Sequence, residues 1–143
     1  MNALSEKILE EYWAVHNSAG LLDHSSLIKI KVTGNDRLDF FQHILTNDLL
    51  KLQSGEGCDT ALLSATGKAL AYLSVYILSD YLLLTAEGNS EVMAKLFDKY
   101  IITEDVRLEN ITEIYSLFSL QGPKLEDLIR NLKGADLGVT PLK

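Results

Sequence analysis

The stretch Asp59-Thr60-Ala61-Leu62-Leu63-Ser64-Ala65-Thr66-Gly67-Lys68-Ala69-Leu70-Ala71-Tyr72-Leu73-Ser74-Val75-Tyr76-Ile77-Leu78 decides the fold. Two apolar runs, 59–64 and 69–78, flank the loop Ala65-Thr66-Gly67-Lys68, which carries glycine where a hairpin wants a positive φ. The pattern predicts two antiparallel strands. Ser79-Asp80 turns the chain again, and Tyr81 to Ala86 is expected as a third strand of a meander. Upstream, residues 27–33 alternate: Ile28, Ile30 and Val32 point one way, Lys29, Lys31 and Thr33 the other. Period two with β-branched residues reads as a half-exposed strand.

Helical patterns bracket these strands. Leu4, Ile8, Leu9, Tyr12 and Trp13 share one helical face, with Glu6, Lys7, Glu10 and Glu11 opposite. Asn17-Ser18-Ala19-Gly20 ends that helix, and Leu21-Leu22 returns the chain to a core. Asn35 or Asp36 is expected to cap a helix through about Leu45, with Leu38, Phe41, Ile44 and Leu45 facing inward. Ser90 is expected to cap a helix from Glu91 to about Tyr100 that buries Val92, Leu96 and Phe97. Strands are expected at 105–110 and 114–121. Pro123 suits the first turn of a last helix through Leu132, which Gly134 would end. The order gives an α+β fold around a mainly antiparallel sheet with flanking helices. No linker composition appears before about residue 133, so 1–133 reads as one domain and 134–143 as a tail or the start of a further segment.

Composition bounds the function. At 143 residues, 47% hydrophobic and 23% charged, the chain can bury roughly 70% of its unfolded surface without disulfide or metal staples. Twenty acidic against thirteen basic residues give a net charge of −7, which argues against bulk binding to nucleic-acid backbone. No apolar run approaches the ~18 residues of a membrane span, and the acidic start does not read as a secretory signal. The single cysteine, Cys58, excludes an internal disulfide and any Cys-rich zinc site. It fits a reducing compartment, so the expected localisation is cytoplasmic.

One ordered set of blocks carries a family likeness. The run Leu22-Asp23-His24-Ser25-Ser26-Leu27-Ile28-Lys29-Ile30-Lys31-Val32-Thr33-Gly34-Asn35-Asp36-Arg37-Leu38-Asp39-Phe40-Phe41-Gln42 resembles the opening of the glycine-cleavage T-protein superfamily. Leu45-Thr46-Asn47-Asp48, the turn from Gly55 to Thr60, and Ser119-Leu120-Gln121-Gly122-Pro123-Lys124 follow in that family's order and spacing, covering about residues 11–130. The resemblance implies a folate-binding domain, corresponding to the first third to half of a multi-domain protein with tetrahydrofolate in a central channel. The superfamily includes aminomethyltransferases and YgfZ-type proteins, the latter linked to iron–sulfur cluster maturation or repair and to tRNA modification.

The departures from that pattern discriminate between the branches. Aminomethyltransferases usually carry an Asp-Asp pair on the strand after the glycine hairpin, one of them the catalytic acid. Ala71 and Tyr72 stand there in this sequence, and neither can act as a carboxylate. Ser26, Leu27 and Lys29 replace the His, Met and Arg of the Ser-His-Met-Gly-Arg block, and Asp59 replaces a tyrosine. The stretch from Leu96 to Val106, with Lys99-Tyr100 and the acidic turn Glu104-Asp105, looks more like the YgfZ branch, although that branch's Lys-Gly-Cys-Tyr loop is missing. The implied reading is a folate-binding accessory protein. The alternatives are an aminomethyltransferase whose acid comes from Asp48 or Asp59, and a non-catalytic interaction domain that self-associates through an exposed half-channel.

The residues expected to face a folate are Asn47, Asp48, Asp59 and Tyr72. Asn47 and Asp48 offer side-by-side polar groups that could serve a pterin, or else they simply turn and cap the chain. Asp59 stands at a strand mouth, where it either contacts a ligand or is an exposed strand-end carboxylate. Tyr72 can stack on a flat ring or belong to a sheet-face cluster with Ser74 and Tyr76. His16, His24 and His43 are scattered and show no metal-ligand spacing. Cys58 has no cationic sequence neighbour to lower its pKa, and Gly55-Glu56-Gly57 is too short and too acidic to cradle phosphate. For this length of chain, tetrahydrofolate binding is expected to be weak, with iron–sulfur proteins as further partners.

Overall fold

A computed structural model describes residues 3–131. In chain order its elements are α1 (Ala3–Asn17), β1 (Gly20–Asp23), β2 (Ile28–Thr33), α2 (Arg37–Ile44), a 3₁₀ turn (Leu49–Lys51), β3 (Gly57–Leu63), β4 (Ala69–Ile77), β5 (Leu82–Ala86), α3 (Ser90–Asp98), β6 (Arg107–Asn110), β7 (Phe118–Gln121) and α4 (Leu125–Asn131). The α+β class and the meander are as the sequence reads. The described residues group into two units, one from Ser25 to Tyr115 and one joining the residues up to His24 with those from Ser116.

In the larger unit the sheet order is β3-β4-β5-β2-β6, and each neighbouring pair is antiparallel. Ile28, Ile30, Val32, Leu62, Leu73, Val75, Leu82 and Leu84 form a core with Phe40, Phe41 and Leu45 of the α2 region and Phe97 of α3. The Phe41 ring meets Phe40 and Phe97 edge-on at centroid distances of 5.0 and 5.1 Å. Each fully buried ring of this kind stabilises by about 1.5–3 kcal/mol. Gly67, at φ 81°, makes the β3–β4 turn as its position predicts.

Several expectations need correction. The β2 strand is not half-exposed: Lys29 is 1% exposed, and its ammonium donates to the carbonyls of Ser25 at 2.9 Å and Leu27 at 2.8 Å. The Lys29 side chain thus folds back on the segment that leads into β2; alternation reports which side chains share a face, not what covers that face. Asp36 is the N-cap residue of α2 but makes no side-chain cap bond. Its Oδ2 instead accepts from the Asp105 N–H at 2.7 Å. The cap of α3 is Asn89 rather than Ser90: its Oδ1 accepts from the N–H groups of Glu91 and Val92 at 2.9 and 3.2 Å. Val92 is 66% exposed, so of the three expected core residues of that helix only Phe97 is fully buried. The strand expected from 114 begins at Phe118, because Ile114 N–H and Tyr115 N–H both turn back to Ile111 O. The expected stop at Gly134 lies outside the described residues.

Asn89→Ala should lower stability by about 1 kcal/mol, the usual worth of such a cap. A shift in the urea midpoint reads this out, and an unchanged midpoint would mean that the two N–H groups need no side-chain partner.

In the smaller unit, β1 pairs antiparallel with β7, from Gly20↔Gln121 to Asp23↔Phe118. His24 Nε2 lies 2.8 Å from Ser119 Oγ. The apolar face of α1 is not sealed as its pattern implied: Ile8, Leu9, Tyr12 and Trp13 are all exposed.

Candidate functional site

The chain leaving α2 runs along the free edge of β3. Leu45 bridges Leu62, the Thr46 N–H donates to Ala61 O at 3.0 Å, and the Ala61 N–H donates to Thr46 Oγ1 at 3.0 Å. The Asn47 N–H reaches Thr60 Oγ1 at 3.1 Å. Main chain and side chain together thus satisfy part of an edge that would otherwise present open donors and acceptors. Asn47 also donates from Nδ2 to the Asp59 carbonyl at 3.1 Å and accepts the Asp48 N–H at 2.9 Å. Its amide is therefore engaged at both ends with main chain.

Asp48 points elsewhere. Its carboxylate meets Lys51 Nζ at 2.9 Å, and the hydrogen bond from Lys51 is the largest influence holding its carboxyl below the ordinary value. Asp48 is therefore ionised at neutral pH and has no proton to donate. Asp59 accepts a hydrogen bond from the Ser74 hydroxyl across the β3–β4 pair, where the two residues are in register. By strand alternation Tyr72 shares that sheet face, opposite Ala61 and two residues from Ser74, and it is 70% exposed. Asn47 and Asp59 are thus in direct contact, Tyr72 stands beside Asp59 on one face, and Asp48 is turned away toward Lys51.

Tyr72 also borders a cleft of about 380 Å³ at the start of β4, together with Ala71. The apolar wall comes from Leu70 of β4 and from Val92, Met93 and Leu96 of α3. Glu87, Gly88 and Asn89, the loop from β5 into α3, supply the remaining side. The antiparallel pairing of β4 with β5 brings the end of one strand beside the start of the other. Sequence reasoning found Ala71 and Tyr72 but missed Glu87, Asn89 and Met93. The one local signal was their place between a strand end and a helix start, with Gly88 at φ 111°.

Cys58 is partly buried. Burial first, and then the neighbouring Asp59 charge, raise its thiol above the ordinary value, so little thiolate exists at neutral pH to act as a nucleophile. His16 and His43 lean back on the carbonyls of Tyr12 and Asp39 in their own helices. Among the described residues no group of three or more His, Cys, Asp and Glu side chains is placed to hold a metal ion, and no helix is long and apolar enough to cross a membrane.

The description "GCVT N-terminal domain" matches residues 2–143. The chain belongs to this family. It is 36% identical over 138 residues to an aminomethyltransferase of Bacillus pumilus, covering 95% of this chain and 37% of that protein. An aminomethyltransferase of Lysinibacillus sphaericus is likewise 36% identical over 135 residues, covering 91% of this chain and 36% of that protein. The fold matches the crystal structure of glycine cleavage system aminomethyltransferase T from Bartonella henselae, with a TM-score of 0.73 at 24% identity over 94% of this chain and 36% of that one. This GCVT N-terminal domain thus spans little more than a third of the length of the relatives it matches.

Proposed function

We propose that this chain is a tetrahydrofolate-binding domain of the YgfZ-like kind, holding its ligand without the strand carboxylate of an aminomethyltransferase. It serves in the cytosol as an accessory protein in iron–sulfur cluster maturation or repair or in tRNA modification. One observation carries the reading: Ala71 and the largely exposed Tyr72 stand among the residues that line the cleft at the start of β4, where the T-protein pattern has its acid. General-acid work needs a proton-bearing group there. A flat ring needs only an apolar slot and an aromatic face, which Tyr72, Leu70 and Met93 offer. A cleft of about 380 Å³ is near the lower end of ligand pockets, so it suits the bicyclic head of a folate and binds the whole molecule weakly. Direct titration with tetrahydrofolate tests the binding.

A second reading, an aminomethyltransferase, draws on the names of the relatives and on Asp59. Of the two candidate acids, Asp48 is committed to Lys51, whereas Asp59 shares a sheet face with Tyr72. Transfer from an aminomethyl-lipoyl carrier to tetrahydrofolate separates the readings. No turnover by the wild-type chain supports the accessory role; turnover that Asp59→Asn abolishes supports the transferase. The exposed apolar face of α1 further supports self-association, which sedimentation at increasing concentration would reveal.

A further inference from the structure

The cleft holds one acidic residue, Glu87, among the residues that line it. Glu87 follows Ala86, which β5 fixes against Ile28 of β2. It precedes Gly88 and then Asn89, whose side chain is tied to the first N–H groups of α3. Both ends of this three-residue loop are therefore anchored, and Glu87 is exposed between them. Among the described residues no hydrogen bond or ion pair engages the Glu87 carboxylate, in contrast to Asp48, which Lys51 holds, and Asp59, which Ser74 holds. An ionised carboxylate only accepts hydrogen bonds. Beside an apolar wall and an open tyrosine ring, it selects a ligand that is flat, apolar on its faces and rich in N–H donors along one edge.

We propose that Glu87 is the anchoring carboxylate of this cleft, accepting hydrogen bonds from adjacent N–H groups on the edge of a flat nitrogen heterocycle whose face lies against Tyr72. The identity of the ring as a pterin rests on the folate reading; the site itself rests on the cleft and its one free carboxylate. A loop glutamate thereby gives the cleft a negative group that neither Ala71 nor Tyr72 provides. Charge-assisted hydrogen bonds are the strong ones.

The test uses the whole 143-residue chain with two probes, pterin and tetrahydrofolate, followed by calorimetry and by amide chemical shifts. Pterin should shift the amides of Tyr72, Gly88 and Asn89, and Glu87→Gln should weaken it by at least about tenfold, the loss expected for a hydrogen bond to a charged group. Glu113→Gln, an exposed change of equal charge outside the cleft, should leave affinity within about twofold. Melting curves check that both variants stay folded. Pterin binding that depends on Glu87, with no binding of tetrahydrofolate, sustains this inference and removes the folate reading. Tetrahydrofolate binding that Glu87→Gln leaves unchanged sustains the folate reading and overturns this inference. If neither probe binds, both fall.

Discussion

Phe97→Ala is expected to remove about 3–5 kcal/mol of stability, the range for truncating a fully buried aromatic residue to alanine. Phe97 has no exposed surface, and its ring packs edge-on against Phe41, itself fully buried. It is the only fully buried residue of α3, so truncation leaves a hole where that helix meets the sheet, and the neighbouring backbone cannot easily close it. Domains of this size are stable by about 5–15 kcal/mol, so the variant should be largely unfolded at moderate urea concentrations. The cleft should go with it, because Val92, Met93 and Leu96 of the same helix form one of its walls. A loss under about 1 kcal/mol would mean that α3 is not fastened to the core through this ring.

Gly34→Ala should be comparably damaging for a different reason. Gly34 adopts φ 110°, a conformation that side chains disfavour. A Cβ built there would lie 1.9 Å from Asp105 O and 2.6 Å from its carbonyl carbon. Both are backbone atoms, so no rotamer change relieves the clash. The segment around Asp105 is held there by several bonds: Asp36 N–H to Asp105 O at 3.3 Å, Asn35 N–H to Asp105 Oδ2 at 3.1 Å, and Asp105 N–H to Asp36 Oδ2 at 2.7 Å. Relief of the clash must open this junction, and a cost of about 3 kcal/mol or more follows. Equilibrium unfolding in urea measures it. A stability within about 0.5 kcal/mol of wild type would mean that the junction is slack rather than closely packed.

The parts legible in the sequence are those set by local pattern. The Gly67 hairpin, the third meander strand and the bounds of β2 are all written in nearest neighbours, and each lies close to where the pattern put it. The misplacements share a cause. Lys29 reads as solvent-facing because alternation cannot show what covers a sheet face, here the segment whose carbonyls take its ammonium. Asp36 reads as a cap because the competing N–H belongs to Asp105, far along the chain. Asn89 and Ser90 are both good caps by type, and only the backbone entering α3 chooses between them. Val92 looks like core by spacing, yet it falls on the side of α3 that faces the cleft.

The candidate site divides in the same way. Ala71 and Tyr72 could be found from sequence because their positions relative to Gly67 could be aligned with a known pattern. Glu87 and Met93 could not, since they come beside Ala71 only through the β4–β5 pairing and the packing of α3. Asn47 and Asp59 read as polar site residues by type, and the structure puts them in contact. Much of that contact is main-chain work, sealing the free edge of β3. The family match and the cleft therefore support ligand binding more directly than the cluster at the edge does.

The most direct measurement is a calorimetric titration of tetrahydrofolate into the 143-residue chain. Saturable binding with a Kd of about 100 μM to 1 mM, or about −5.5 to −4 kcal/mol, is the expected result for a small open cleft that holds only part of the ligand. No saturable heat at concentrations about ten times higher would contradict the proposal that this domain binds a folate.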